Sequence, residues 1–456
     1  MKDRSAPQDI YEPASPHDLV SFAVVCKPAS GADAVELRSR LTLTTLDEYL
    51  PSPGVLADVA DQLRTLGFEV FDLPGPIVSA RGSVERFRSV FRDAELVRRT
   101  RTVTNPLSER TSTTSIVIKP ESPAPSPEPL RGALLISVQS RPQFVVPRIP
   151  PGMANFSLHP PGDIAQFTYA SATHRLSTAS GRATGEGVSV AVLDSGFAVH
   201  PYYTDHGFRI TRRAMADTSH AEIDDEPHGT CILASLFACA PDVDAYGLKL
   251  GADATLGFRY AMHRPKIRVI SVSWVYPLAN EVPLPVELVP LQITILLAIS
   301  KGVTVIAAAG NGPLQSTFPA GMPEVIAVGG VAVGGNDGVT AWDGASSFSS
   351  VAFGGRNVPD FCAIASDMWS PVPGTPPDWL SAPGGTSSAA PQVAGIAALL
   401  LQKRPELTPA IIRDVLAVTA ADVTAGTTAS GHRARAGVDL ATGAGFVNAL
   451  EAWLSI

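Results

Sequence analysis

Hydrophobic positions between Ser21 and Val103 switch between the two-residue and the 3.6-residue period. Ser21–Cys26 (SFAVVC) reads as a strand. Val55, Leu56, Val59, Leu63 and Leu66 share one face of a helix that Gly67 ends. Strands over Phe68–Leu73 and Ile77–Ala80 flank a Pro-Gly-Pro turn. Val84, Phe87 and Phe91 mark a second amphipathic helix, and Ala94–Val103 is expected to close the unit. The order β-α-β-β-α-β is the split pattern of a small α+β, ferredoxin-like domain.

Beyond residue 163 the pattern changes. Val188–Leu193, Asp244–Leu250, Arg268–Trp274, Thr304–Ala309 and Val325–Val331 are short, continuously apolar runs, as expected of strands covered on both faces. Helices are predicted between them over Gly229–Ala238, Leu256–His263 and Leu288–Ser300. Another begins near Ser387, and Thr408 caps one whose first position is Pro409. The fold class this predicts is α/β, a mostly parallel sheet with helices on both faces, preceded by the small α+β domain. Residues 120–161 hold eleven prolines and read as an extended linker. The expected division is 17–110, 111–162 and 163–456.

Charge sharpens that division. Of 456 residues, 35 are basic and 43 acidic, a net charge of −8. Residues 1–160 carry 18 of each sign, so the whole excess falls on 161–456. An acidic chain of this kind excludes nucleic-acid binding through bulk positive charge. The first twenty residues hold no apolar run of signal-peptide length, and the richest stretch, Leu291–Ile299, is too short to cross a bilayer. Cys26, Cys231, Cys239 and Cys362 make no disulfide framework. Cys231 and Cys239 lie about 12 Å apart along one expected helix, beyond bonding range. A cytoplasmic location is expected, with leaderless export left open; neither nucleic acid nor membrane is an expected partner.

Four short motifs stand where strands end and helices begin. Asp194 follows a strand in VAVLDSG, and Asn311 ends one in VIAAAGNG. His228 opens a helix in DDEPHGT, and Ser387 opens another in GGTSSAAPQVAG. Acyl transfer needs a nucleophile, a base to take its proton, a carboxylate to orient the base, and donors aimed at the oxyanion. A serine at a helix N-terminus has free N–H groups beside it, and an Asn amide supplies a further donor. Each motif alone is ordinary: Asp-Ser-Gly is usually a tight turn and His-Gly-Thr a helix start. Together they run in the chain order Asp, His, Ser.

On these motifs the chain resembles the subtilisin-like serine peptidases, the subtilase family, over roughly residues 163–456. GTSSAAPQVAG fits the family's Gly-Thr-Ser-x-Ala-x-Pro-x-Val-Ala-Gly. GVTVIAAAGN matches its oxyanion strand, FPAGMPEVIAVGG the next segment and GAGFVNALEA its closing motif. The resemblance implies a serine endopeptidase that cleaves protein or peptide substrates through an acyl-enzyme. Asp194, His228 and Ser387 would form the triad, and Asn311 the oxyanion donor. Ser271, Ser273, Trp274 and Val275, on the strand that pairs with substrate in relatives, would bind it, as would Ala309 and Gly310. The N-terminal unit would be a propeptide that assists folding and blocks the cleft, making a self-inhibited zymogen suited to specific targets. A processing site is expected within residues 145–165, near Arg148 or Met153. Seven arginines from Arg81 to Arg101 precede an acidic domain, so electrostatic docking of the two is expected.

The chain also departs from the family. Cys231 stands where a His usually follows the catalytic His, either as a small buried residue or as a target for bulky thiol reagents. Val275 and Tyr276 replace the usual glycine of the substrate strand and narrow the cleft. That motivates a second reading, a peptide-binding module with little turnover. Pro241 follows His228 by only thirteen positions, so the loop that holds calcium in secreted relatives is missing. No metal and no cofactor are expected, with calcium at another site left open. His200, Asp205, His206 and the run Asp224–Glu226 match no standard ligand spacing. Sedolisin-like peptidases also use Gly-Thr-Ser, but with a Glu and an oxyanion Asp, which Asn311 and DEPHGT disfavour. Phe318-Pro319 is a candidate cis peptide, as in relatives.

Overall fold

The computed structural model describes residues 8–34, 37, 40–103, 111–144, 183–278, 284–311, 316–334, 338–341, 356–366, 368, 370–373, 380–381, 385–428 and 430–456. Among the described residues its N-terminal part has seven strands: β1 (Gln8–Pro13), β2 (Leu19–Cys26), β3 (Glu69–Val70), β4 (Ile77–Ser83), β5 (Leu96–Val103), β6 (Thr111–Ile118) and β7 (Ala133–Val138). One sheet runs β3-β4-β2-β7, with β2 antiparallel to both neighbours. Helices α1 (Pro53–Thr65) and α2 (Val84–Val90) start at Ser52 and Ser83, whose hydroxyls accept from the N–H of Val55 and Arg86. Such caps satisfy donors that the first turn leaves over. Phe22 and Val24 of β2 face these helices, and the Phe22 ring meets Phe68 and Phe87 edge-on.

Ala94–Val103 does not close this sheet. β5 pairs instead with β1 and β6 in a separate three-stranded sheet, and the closing strand is β7, inside the stretch expected to be linker. The sheet is covered on both faces, so its edge needs a strand apolar on both sides. ALLISV of β7 meets that need; LVRRTRTV of β5, with three arginines, does not.

The second part is built on β8 (Ser189–Asp194), β9 (Arg209–Ala214), β10 (Asp244–Lys249), β11 (Ile267–Val272), β13 (Thr304–Ala308), β15 (Ile326–Gly334) and β17 (Phe361–Ile364). These seven are parallel, in the order β9-β10-β8-β11-β13-β15-β17, and β16 (Gly338–Ala341) adds antiparallel to β15. A small ribbon joins β12 (Tyr276–Leu278) to β14 (Ser316–Phe318). Alternate residues of β8 serve two cores. Val190 and Val192 pack with α3 (His228–Cys239) and α6 (Thr386–Lys403). Ala191 and Leu193 pack on the opposite face with α4 (Thr255–Met262) and α5 (Val289–Ser300). This two-sided burial is why β8 reads as an unbroken apolar run. Thr408 caps α7 (Pro409–Val418), accepting from the Ile411 N–H as the sequence predicts.

The second core continues into the N-terminal part. Ala23, Val25, Phe71, Ile77 and Leu135 present the other face of its sheet to α4 and α5. At the centre of this contact Arg259 of α4, 1% exposed, donates to Ser79 Oγ at 2.9 Å, to the Pro74 carbonyl at 3.2 Å and to the Leu73 carbonyl. Gly75 makes room for it: a Cβ there would lie 2.6 Å from Arg259 Nε. Within the stretch Arg81–Arg101, expected to dock electrostatically, the Arg81 charge is felt at Asp217 of the second part, where it favours the carboxylate. Arg81 pairs with Glu69 and Arg98 with Asp18, both within the N-terminal part. Among the described residues, no helix is long and apolar enough to cross a membrane.

Candidate active site

The site lies at the carboxyl ends of the central parallel strands, where an open α/β sheet leaves a crevice. Asp194 ends β8 and is fully buried. Its Oδ1 receives His228 Nδ1 at 2.8 Å and the Ser195 N–H at 2.8 Å. That contact fixes the imidazole with its proton on Nδ1, leaving Nε2 as an acceptor. Gly229 lets α3 start this close: a Cβ there would be 2.3 Å from the Gly196 carbonyl oxygen and 2.9 Å from Asp194 Cβ.

A layer not read from the sequence braces this pair. The Ser195 hydroxyl donates to Asp224 Oδ1 at 2.6 Å and accepts from the Gly229 N–H at 3.2 Å. Asp224 Oδ2 in turn receives the N–H and hydroxyl of Thr230 at 2.8 and 2.6 Å. Asp-Ser-Gly and Asp-Asp-Glu are ordinary loop sequences, and only the fold brings them together. Burial raises the pKa of Asp224, with the nearby Asp194 charge adding to the rise. For His228, burial alone would lower the pKa; the Asp194 charge and hydrogen bond, then Asp224 and Glu226, outweigh it, and the net shift is upward.

Ser387 opens α6, 5% exposed, and its hydroxyl donates to the Ser273 carbonyl at 3.0 Å, while Ser273 Oγ donates to the Ser387 carbonyl at 2.9 Å. The structure does not join this hydroxyl to the imidazole: His228 Nε2 is buried without a hydrogen-bond partner. Asn311 follows β13, and its Oδ1 accepts from the Thr386 N–H at 2.8 Å and the Thr386 hydroxyl at 3.0 Å. That anchors the amide with its NH2 group turned away from Thr386. Gly310 N–H donates to Thr386 Oγ1 at 3.1 Å.

The remaining expected substrate residues divide. Ser271 lies inside β11, paired with Val192 and Ile306, and its hydroxyl is buried without a hydrogen bond, so it belongs to the sheet rather than to the crevice. Ala309 is also spent internally: its N–H donates to the Val328 carbonyl and its own carbonyl accepts from Thr317. Trp274 donates through Nε1 to the Leu193 carbonyl and packs edge-on against Tyr276. Val275 is at the crevice, and a segment following β7 already pairs with it. Gln143 and Val275 exchange two antiparallel backbone hydrogen bonds of 3.1 Å. Tyr276 donates to the Ser140 carbonyl at 2.8 Å, and buried Phe144 sits against His228, ring centroids 5.5 Å apart.

The other candidates take structural places. Cys231 is buried with its thiol donating to the Pro371 carbonyl at 3.3 Å, and burial drives its pKa well up. A thiol so placed is shielded from bulky reagents and disfavours the reactive thiolate. His200 caps a short helix by accepting from the Tyr202 N–H, and His206 contacts the Tyr202 carbonyl. The Phe318-Pro319 peptide is cis. The window 145–165 falls outside the described residues.

Fold and site together define an α/β protein with a buried Asp–His pair at the carboxyl end of a central parallel strand. The chain belongs to the subtilase family, whose family model matches residues 185–445. It is 32% identical to subtilisin NAT of Bacillus subtilis subsp. natto over 259 residues, covering 52% of this chain and 61% of that protein. Subtilisin E of Bacillus subtilis (strain 168) is 31% identical with the same coverage, and the subtilisin of Bacillus pumilus 30% identical with 85% of it covered. The match thus spans less than two thirds of the first two. Among solved structures, fervidolysin from Fervidobacterium pennivorans, described as a keratinolytic enzyme related to subtilisin, superposes with a TM-score of 0.59 at 17% identity. That superposition covers 96% of this chain and 61% of the other, and speaks for the fold alone.

Proposed function

We propose that the chain is a serine endopeptidase, made as a zymogen whose own N-terminal part occupies the substrate crevice. The observation that carries the first half is the 2.8 Å contact of His228 Nδ1 with Asp194, which leaves Nε2 as the acceptor that can serve as a base. Ser387, at the start of α6, is the nucleophile: rotation of its hydroxyl from the Ser273 carbonyl to His228 Nε2 would complete the triad. His228 takes the proton, Ser387 Oγ attacks the carbonyl carbon, and the oxyanion is met by Asn311 and the N-terminal N–H groups of α6. The imidazolium then protonates the leaving amine, and water hydrolyses the ester by the reverse path.

The pairing of Gln143 with Val275 supports the second half, since it is how an extended peptide adds to a strand edge. Val275, through its backbone, and Tyr276, through its hydroxyl, both hold this segment. The same pairing favours the alternative of a peptide-binding module with little turnover. A fluorophosphonate probe separates the two. It should label wild-type protein but not Ser387→Ala, and intact mass of both proteins reports whether the chain is cut. Absence of labelling in wild type would leave the binding module standing.

A further inference from the structure

Resting on the reading that residues 140–144 trace the substrate's path, we propose that Asp225 and Glu226 form a subsite for a guanidinium side chain. The substrate class this selects is a peptide with Arg three residues before the side chain seated on His228.

The subsite already has an occupant in cis. Arg141 Nη2 lies 3.1 Å from Asp225 Oδ2 and 3.5 Å from the Ser195 carbonyl, and Nη1 lies 3.8 Å from Glu226 Oε1. Its guanidinium also stands 5.9 Å from the centre of the Phe144 ring. A planar fork reaches several acceptors at once, which a single ammonium cannot. Glu226 is the second, independent sign. Its side chain is 8% exposed, next to His228, and Arg141 is the cation paired with it among the described residues. Asp225 differs, being 41% exposed and paired also with Lys249 Nζ at 3.1 Å.

A buried carboxylate without a counter-charge is costly. Once Arg141 withdraws, a ligand that returns a cation gains over one that brings a neutral group, which is how a site rejects near relatives. The backbone sets the register. The Gln143–Val275 pairing and the Tyr276 bond to Ser140 fix where each side chain falls, whatever the sequence of the peptide. Between the charged and aromatic anchors, Pro142 is buried and Gln143 half-buried.

The test uses the full chain carrying Arg141→Ala together with Phe144→Ala, which removes both side chains that seat the segment over Asp225, Glu226 and His228. Its substrates are internally quenched peptides with the sequence of residues 140–148, bearing Arg, Lys or Gln at the position of Arg141. Cleavage should follow the order Arg, Lys, Gln, with kcat/KM for Arg above Gln by about tenfold or more. Adding Asp225→Asn and Glu226→Gln should bring that ratio below about twofold, because the charge selection is removed, while any change at the His228 base acts on all three peptides alike. Equal cleavage of the three peptides, or a ratio that survives both substitutions, overturns the subsite. A fall of all three peptides by one factor does so too, since it marks a merely structural role. If a fluorophosphonate labels Ser387 but no peptide is cut, the path reading itself fails and takes the subsite with it.

Discussion

Phe144 lies over the imidazole of His228, the ring centroids 5.5 Å apart and the planes inclined by 55°. One residue belongs to the segment after β7 and the other opens α3, so the N-terminal part covers the base of the candidate triad. The cover is apolar, and the backbone pairing of the preceding residue with Val275 holds it there.

Phe144→Ala should therefore open the site. Truncating a buried Phe costs about 3–5 kcal/mol of packing, most of it here in seating the segment. In the intact full-length chain, fluorophosphonate should label Ser387 faster by about tenfold or more. An unchanged rate would mean that the ring packs on His228 without guarding it.

The imidazole should titrate high. With its pKa raised from 6.5, His228 is protonated, and useless as a base, until the pH exceeds that raised value. The labelling rate should rise with pH through a midpoint above 6.5. Asp194→Asn should lower the midpoint and cut the rate by about ten-thousandfold. For stability the sign is the reverse. The contribution of the His–Asp pair is complete below the unfolded pKa and is lost as the pH rises through the folded one. A midpoint at or below 6.5 would contradict this electrostatic account.

Asn311→Ala tests the oxyanion assignment. The side chain is anchored on Thr386 through Oδ1, so its loss should leave Asp194 and His228 in place. We expect kcat on a cleaved peptide to fall by about a hundred- to a thousandfold with little change in KM. A KM effect with kcat intact would reassign Asn311 to ground-state binding.

Arg259→Ala should loosen the two parts without touching the crevice. Burial draws the pKa of this guanidinium down to about 10, yet it still carries charge at neutral pH. Its removal leaves the carbonyls of Leu73 and Pro74 without their donor, at about 1–3 kcal/mol for each group that water does not reach. Amide hydrogen exchange over residues 69–83 should accelerate in the full chain, while exchange over β8 and β11 stays slow. Unchanged protection of 69–83 would place the holding energy in the apolar contact alone.

Much of this was legible in the sequence. Continuous apolar runs gave β8, β10, β11, β13 and β15, since a sheet covered on both faces admits no alternation. Capping residues gave the start of α7, and short motifs at strand and helix ends marked Asp194, His228, Ser387 and Asn311, because backbone geometry there depends on few neighbours. What depends on distant segments was not legible. Prolines flanking ALLISV hid β7, whose role follows only from the covered edge beside β2. The arginines from Arg81 to Arg101 suggested docking, yet the cation buried at the centre of the contact is Arg259, unremarkable inside TLGFRYAM. Ser195 and Asp224 are 29 residues apart, and the seat of Arg141 on Asp225 spans 84. Local pattern fixes which elements form; which charges become buried together is decided by how the two parts close on each other.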